Sequence, residues 1–124
     1  MKRIIVDLDD TISYTKNREY ETAEPNQALI DKLHSYKKMD FEIVINTSRN
    51  MRTYDGNIGK INVFTLPKII KWLTDFNIPY DEVYIGKPWC GFDGFYVDDK
   101  AVRPSEFVKL SYEEIIELLL KEVK

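Results

Sequence analysis

The sequence predicts an α/β fold with a central, mainly parallel sheet. Short apolar segments rich in β-branched and aromatic residues recur along the 124-residue chain, and stretches with helical periodicity lie between them. Strands that are apolar nearly throughout are typical of a parallel sheet covered by helices on both faces and connected by right-handed crossovers. We therefore expect a three-layer, Rossmann-like arrangement.

The elements of this fold can be placed in order along the chain. Strands are predicted at residues 3–6, 41–45, 83–85 and 95–97, which carry the β-prone residues. Helices are predicted at residues 26–38, at 66–76 and from Ser111 through Val123. Ser111 and Glu114 have the spacing of a capping box, which marks the start of the last helix. Its broad apolar face is expected to join the core, with an oligomer contact as the alternative.

Two stretches that follow strands do not fit a minimal alternation of strand and helix. Residues 12–24 run from β-prone to turn-prone and back to β-prone, which predicts a small hairpin flap. Residues 48–60 exceed the usual connection of about 2–6 residues in α/β units. Long loops at strand ends often bind substrate, but a solvated surface loop is an equal alternative.

Composition limits the class of protein. A chain of this length predicts one domain, residues 1–124, and the net charge of −3 with scattered basic residues predicts no nucleic-acid partner. Cys90 is the only cysteine, and the N-terminus runs into a charged stretch, so we expect a cytoplasmic protein. No apolar run reaches the roughly 20 residues of a membrane span, so no membrane partner is expected.

Polar residues with the chemistry of a phosphoryl-transfer site follow each predicted strand. The single histidine, His34, falls on a predicted helix surface, so the chemistry is expected to rest on carboxylates. Ligands of open α/β sheets bind beyond the carboxyl ends of the strands, where these residues would converge. They are Asp7 and Asp9 after the first strand, Thr47, Ser48 and Arg49 after the second, Lys87 after the third, and Asp98 and Asp99 after the fourth.

The acidic residues predict a magnesium site. Asp7 and Asp9 are two residues apart, so in extended chain both face the cleft while Leu8 faces the core. With Asp98 and Asp99 nearby, these carboxylates would repel one another unless cations neutralised them. Hard oxygen ligands suit Mg²⁺, which uses one or two carboxylates and leaves the remaining positions to water and phosphate oxygens. An isolated acidic pair would more often be a polar turn.

The run Ile-Ile-Val-Asp-Leu-Asp-Asp-Thr at residues 4–11 resembles the first motif of the haloacid dehalogenase superfamily of phosphatases. The second motif of that superfamily resembles residues 43–47, the third resembles Lys87, and the fourth resembles residues 95–99, where an acidic pair follows an apolar strand. All four occur in family order. The connections that hold a cap domain in that superfamily are short here, so a capless member is expected.

The resemblance implies a Mg²⁺-dependent phosphomonoester hydrolase that forms an aspartyl-phosphate. Asp7, already ionised at neutral pH, would attack phosphorus, and Asp9 would serve as general acid and base. Thr47 and Lys87 would stabilise the phosphoryl oxygens. The implied metal ligands are Asp7, the carbonyl of Asp9, Asp98 and, through water, Asp99.

The substrate is expected to be a small phosphorylated molecule. Ser48, Arg49 and Arg52 are candidate substrate contacts, because guanidinium groups bind phosphate and carboxylate with two hydrogen bonds. Residues 47–54 and 86–91 resemble a bacterial subgroup associated with capsular polysaccharide or surface-sugar biosynthesis. This narrower resemblance favours a sugar or polyol phosphate. A homo-oligomer could supply the shielding that a cap domain gives other members.

Two other classes of function are weighed against the enzyme. A phosphoacceptor domain of the response-regulator type has similar groups, but its phosphorylated aspartate follows a middle strand, whereas Asp7 here follows the first. A non-catalytic module could keep the metal site for binding alone. Residue types do not separate this last alternative from a hydrolase.

Overall fold

The computed structural model describes residues 2–17 and 19–122. The chain divides into two compact units, of which the first ends at Trp89 and the second begins at Cys90. The single domain expected from chain length stays a prediction. The strands are β1 (Arg3–Val6), β2 (Ser13–Tyr14), β3 (Glu24–Pro25), β4 (Glu42–Thr47) and β5 (Glu82–Ile85). The helices are α1 (Gln27–Lys37), α2 (Ile58–Phe64), α3 (Leu66–Asp75), α4 (Pro104–Lys109) and α5 (Tyr112–Leu120).

The first unit contains a parallel sheet, as predicted. Strand β4 lies in the centre, with β1 on one side and β5 on the other, and both neighbours run parallel to it. Val6 pairs with Ile45, and Thr47 at the end of β4 pairs with Ile85. The carboxyl ends of these strands therefore meet at one edge, which is where ligands bind in open α/β sheets.

The core of the first unit combines β4 with apolar residues of α1 and α3. Ile43, Val44 and Ile45 in β4 are at most 2% exposed. The helices contribute side chains that are at most 1% exposed, namely Leu29, Ile30, Leu33, Ile69 and Leu73. Burying one such side chain stabilises the fold by about 1.5–3 kcal/mol. This burial fixes the strands whose ends carry the polar residues.

Helix α1 begins at an asparagine that also ties it to the loop after β1. The Asn26 Oδ1 atom accepts a hydrogen bond from Leu29 N at 3.3 Å, which caps the helix. Its Nδ2 atom donates to Thr11 O at 3.0 Å, and its main-chain N–H donates to Ile12 O at 2.8 Å. One buried residue thus anchors both the helix and the loop that follows β1.

The hairpin flap is present, but its second arm is shifted relative to the prediction. Strand β2 pairs antiparallel with β3, so that Ser13 lies opposite Pro25. Residues Tyr20–Thr22, expected in the second arm, form a 3₁₀ turn. The anchoring of Asn26 to Ile12 brings the residues just before Asn26, rather than the earlier ones, opposite β2. The 48–60 stretch forms turns and then the start of α2.

The second unit corrects the prediction of a strand at residues 95–97. This segment is irregular in the structure, and the side chains of Phe95 and Val97 are exposed. A strand needs a neighbour for its main-chain hydrogen bonds, and the described residues of this unit, 90–122, contain no other strand. The β-prone composition of residues 95–97 was therefore not enough to predict a strand.

Helix α5 in the second unit begins as predicted. The Ser111 Oγ atom accepts a hydrogen bond from Glu114 N at 3.2 Å, and Glu114 Oε1 accepts one from Ser111 N at 2.9 Å. The capping box is confirmed, while Val123, the predicted end of the helix, lies outside the described residues. Ile115 is buried and Leu120 is 60% exposed.

No helix in the described ranges is long and apolar enough to cross a lipid bilayer.

Candidate functional site

In the turn after β1, Asp7 and Asp9 flank the buried Leu8 in the sequence. Leu8 is fully buried, and its carbonyl oxygen accepts hydrogen bonds from the main-chain N–H groups of residues 11–13 at 2.9–3.2 Å. Asp10 has a left-handed φ of 62°, which aspartate tolerates better than most residues. Its Oδ1 atom accepts a hydrogen bond from Thr15 Oγ1 at 3.4 Å. Asp10 thus stabilises the turn, and Asp7 and Asp9 project from it.

Asp7 contacts a hydroxyl and an ammonium group from different parts of the first unit. Its Oδ2 atom accepts a hydrogen bond from Thr11 Oγ1 at 3.0 Å, and its Oδ1 atom lies 3.4 Å from Lys87 Nζ. Burial raises the pKa of Asp7 above its ordinary value, while the Lys87 charge and the Thr11 hydrogen bond act in the opposite direction. Thr11 was not assigned a role from the sequence, although it lies four residues after Asp7 within the same motif.

Lys87 reaches Asp7 because the loop after β5 is fixed to the end of β4. The Lys87 main-chain N–H donates to Thr47 O at 3.1 Å. Gly86 has a φ of +86°, and a Cβ atom there would lie 2.6 Å from Ile58 Cδ1. Glycine at this position therefore permits both the backbone conformation and the close approach of α2.

Thr47, at the end of β4, is 1% exposed and has a fixed side chain. Its Oγ1 atom accepts a hydrogen bond from Arg49 N at 3.1 Å. Because the hydroxyl oxygen is the acceptor here, its own hydrogen can be donated to another group. Ser48 is half-buried, and its carbonyl accepts a hydrogen bond from Met51 N at 3.0 Å.

Asp9 is held by Arg49, a pairing that sequence reasoning did not anticipate. Arg49 Nη2 lies 2.7 Å from Asp9 Oδ1, and Arg49 Nε donates to Asp9 Oδ2 at 3.1 Å. The arginine is 6% exposed, and its Cζ atom lies 4.2 Å from the centre of the Tyr20 ring. Both carboxylate oxygens of Asp9 are thus oriented by one guanidinium group, which is itself stacked on the flap.

The remaining predicted site residues are Arg52 in the first unit and Asp98 and Asp99 in the second. Arg52 is exposed, with its Cζ atom 5.9 Å from the centre of the Trp89 ring. Asp98 and Asp99 belong to the second unit, where they are exposed and Asp98 Oδ1 accepts a hydrogen bond from Lys100 N at 2.8 Å. Their assignment as metal ligands stays a prediction.

The oxygen atoms near Asp7 suit a magnesium ion. No group of three or more His, Cys, Asp or Glu side chains arranged around a metal position occurs within residues 2–17 and 19–122. Mg²⁺ is usually bound through only one or two carboxylates, with water and phosphate oxygens completing the coordination. The Asp7 carboxylate and the main-chain carbonyl of Asp9 are hard oxygen donors of this kind. The donor chemistry of the first unit therefore fits the ion.

The fold and the site place this chain in a broad class, that of α/β proteins with aspartate, lysine and threonine at the carboxyl edge of a parallel sheet. No protein-family model and no curated protein matches the chain. The crystal structure of an MCSG target from Vibrio cholerae matches it at 54% identity and a TM-score of 0.96, over 98% of this chain and 99% of the other. The chain belongs to the same family as that Vibrio cholerae protein.

A second solved structure is more distant. It is the Pnkp1/Rnl/Hen1 RNA repair complex, at 15% identity and a TM-score of 0.49. The match covers 99% of this chain and 32% of the matched one.

Proposed function

We propose that this protein is a phosphomonoester hydrolase that uses Mg²⁺ and forms an aspartyl-phosphate on Asp7. The observation that carries the proposal is the contact set of Asp7, whose two carboxylate oxygens meet Thr11 and Lys87 at the edge where β1 ends. A partly buried carboxylate beside a lysine is a suitable nucleophile, because the ammonium group also attracts the phosphate. The four motifs that resemble those of the haloacid dehalogenase superfamily support the same function. They also support the proposal that this chain has the three-layer fold of that superfamily.

The chain's own residues divide the reaction into two displacements. An Asp7 oxygen attacks phosphorus and the bond to the leaving oxygen breaks. Asp9, which takes a proton from solvent once one of its two hydrogen bonds to Arg49 is released, gives that proton to the leaving oxygen. Water then attacks the aspartyl-phosphate, Asp9 takes the proton from the water, and the bond between phosphorus and Asp7 breaks. Phosphate leaves and Asp7 is restored as a carboxylate.

Positioning groups keep the phosphoryl oxygens in place during both steps. Lys87 neutralises charge on them, and the Thr47 hydroxyl donates a hydrogen bond to one of them. Arg49 orients the Asp9 carboxylate. Mg²⁺, when bound by the Asp7 carboxylate and the Asp9 carbonyl, and by Asp98 and Asp99 as the resemblance implies, would offset repulsion between the phosphate and the nucleophile.

The substrate class proposed is a small sugar or polyol phosphate, used in surface polysaccharide or carbohydrate metabolism in the cytoplasm. This rests on the narrower resemblance of residues 47–54 and 86–91. The net charge of −3 gives the protein no electrostatic attraction for a polyanion such as nucleic acid.

The test is phosphate release from a generic aryl phosphate and from a panel of phosphorylated metabolites, with and without Mg²⁺. Wild-type protein is expected to turn over only with Mg²⁺, and Asp7→Asn is expected to be inactive. Asp10→Asn is the matched control, since Asp10 lies in the same turn and contacts Thr15. Absence of Mg²⁺-dependent turnover by the wild type would overturn the proposal.

A further inference from the structure

A pocket of about 700 Å³ lies beside Arg49 within the first unit. Its walls come from the 3₁₀ turn of the flap, from the turns that follow β4, and from α2 and α3. This volume lies within the range of about 300–1,000 Å³ typical of small-molecule sites. None of Ser48, Arg52 or Lys87 is among its lining residues. Of the substrate contacts expected from the sequence, only Arg49 lines the pocket, and Lys87, which contacts Asp7, does not.

Arg49 connects the pocket to Asp9, where a leaving group would sit. Arg49 lines the pocket and at the same time holds Asp9 through Nε and Nη2. If Asp9 protonates the leaving oxygen, as the proposed function requires, that oxygen lies next to the Asp9 carboxylate. The rest of the leaving group can then extend along Arg49 into the pocket.

Three polar groups that line the pocket, those of Asn50, Thr65 and Trp72, are held by hydrogen bonds within the protein. Thr65 is 2% exposed, and its Oγ1 atom donates to Asn50 Oδ1 at 2.6 Å. Asn50 Nδ2 donates in turn to Thr53 Oγ1 at 3.2 Å. Trp72 Nε1 donates to Ala23 O at 3.2 Å, which joins α3 to the end of the flap. Such fixed walls reduce the entropy lost when a ligand binds.

The charges of the pocket balance one another. Among the described residues that line it, three are cationic and three are carboxylates, so the formal charge sums to zero. Lys71 Nζ lies 2.6 Å from Asp75 Oδ2, and Lys68 Nζ lies 3.9 Å from Glu21 Oε1. This neutral rim does not favour a second anionic group. Its adjacent donors and acceptors suit hydroxyl groups, each of which donates and accepts at once.

Aromatic rings supply the apolar part of the pocket. Their arrangement favours a ligand ring that packs against one aromatic ring rather than between two. The Tyr54 and Phe64 rings contact each other at a centroid distance of 6.0 Å, which leaves no slot for a flat base between them. One face of Tyr20 is covered by the Arg49 guanidinium group. A sugar ring has a C–H face that packs on one aromatic ring and a rim of hydroxyls that binds polar groups.

We propose that this pocket binds the leaving group of the reaction, and that this group is an uncharged, polyhydroxylated ring such as a hexose. The inference rests on the proposed function, because Asp9 marks the position of the leaving oxygen. It assigns substrate selection to the flap, α2 and α3 rather than to Arg52. Phe64, which is 55% exposed, supplies the stacking surface that can be removed with least effect on the core.

The test compares two kinds of substrate in variants of α2. Hexose phosphates carry a ring that would fill the pocket, whereas acetyl phosphate carries a leaving group too small to reach it. The ratio of kcat/KM for the best hexose phosphate to kcat/KM for acetyl phosphate is expected to fall at least tenfold in Phe64→Ala. Val63→Ala is the matched control, since Val63 is 66% exposed on the same helix and does not line the pocket. Tyr54→Leu provides a second test from another wall.

The outcomes of this experiment separate the pocket assignment from the hydrolase proposal. A fall in the ratio for Phe64→Ala and Tyr54→Leu, but not for Val63→Ala, supports the pocket. Turnover with an unchanged ratio in both pocket variants overturns the pocket and leaves the hydrolase proposal intact. A wild-type preference for adenosine monophosphate over every hexose phosphate overturns the sugar assignment. No turnover of any of these compounds, acetyl phosphate included, overturns the hydrolase proposal and the pocket assignment with it.

Discussion

Asp7 and Asp9 lie two residues apart on one turn, yet their surroundings differ. Asp7 meets Thr11 from its own loop and Lys87 from the end of β5, whereas Asp9 meets Arg49 from the end of β4. The side of the site around Asp7 is built from single hydrogen bonds to separate groups. The side around Asp9 is built mainly from one buried guanidinium group that is stacked on the flap, with a longer hydrogen bond of 3.5 Å from Ser13 Oγ. The difference shows that residues from two strand ends, Lys87 and Arg49, place two carboxylates of one motif in different surroundings.

The largest effect on the Asp9 side is expected from Asp9→Asn. If Asp9 transfers the proton, this change should lower kcat on substrates with alkoxide leaving groups by about 10²–10⁴-fold. Mg²⁺ affinity should change little, because the proposed ligand from this residue is its main-chain carbonyl. Steady-state kinetics together with calorimetric Mg²⁺ titration would measure both quantities. Full activity of Asp9→Asn would rule out the acid and base role.

A smaller effect is expected from Arg49→Met, which leaves the Asp9 carboxylate without its partner. Removing one member of a buried ion pair costs about 3–5 kcal/mol, but the Asp9 side chain is 21% exposed, so we expect about 1–3 kcal/mol of lost stability. Urea denaturation would measure it. Arg52→Met is the matched control, because Arg52 is exposed, and it should change stability by no more than about 0.5 kcal/mol.

The double variant Arg49→Met with Asp9→Asn extends this prediction. It should be more stable than the sum of the two single losses predicts, since both partners are then neutral. Equal stability of Arg49→Met and Arg52→Met would show that the pairing contributes nothing.

The smallest effect concerns Asp81, which contacts neither side of the site. Its Oδ2 atom lies 2.9 Å from Lys37 Nζ and accepts a hydrogen bond from Ile43 N at 2.8 Å. The Lys37 hydrogen bond, followed by that of Ile43, lowers the pKa of Asp81 below its ordinary value of 3.8. A carboxylate with a lowered pKa in the folded state stabilises the fold above its unfolded pKa, and this contribution is lost as pH falls through the folded pKa.

Asp81→Asn should therefore cost about 1 kcal/mol near pH 7, a value already reduced for solvent screening, and should leave kcat unchanged. The stability gap to wild type should close as the pH falls below 3.8. Urea denaturation at a series of pH values would measure the gap. A gap that widens towards acid, or a change in kcat at neutral pH, would contradict this account.

The sequence predicts the first unit well because its local and long-range signals agree. Residues 3–6 form a strand as predicted. The helix predicted at 26–38 is one residue shorter at each end, and the helix predicted at 66–76 is one residue shorter at its last turn. Leu8, between Asp7 and Asp9, is buried as predicted. These features follow from periodicity, which is a local property.

Other features depend on contacts between residues that are far apart in the sequence, which periodicity does not predict. The pairing of Arg49 with Asp9 joins residues 40 positions apart, and Arg49 was expected to bind substrate directly. Tyr20 was placed in a strand, whereas its ring stacks on that arginine. Residues 95–97 have β-prone side chains but form no strand. A β-prone segment adopts its structure only when a neighbour is available, and the sequence does not reveal the neighbour.

The central claim, that Asp7 is the nucleophile, can be tested by trapping the covalent intermediate. Wild-type protein would be mixed with Mg²⁺ and acetyl phosphate, quenched in acid, digested and analysed by mass spectrometry. We expect a phosphoryl group on Asp7, in the peptide that contains residues 4–11, and no such group in Asp7→Asn. Turnover of the same compound with the phosphoryl group on another residue, or with Asp7→Asn still active, would contradict the claim.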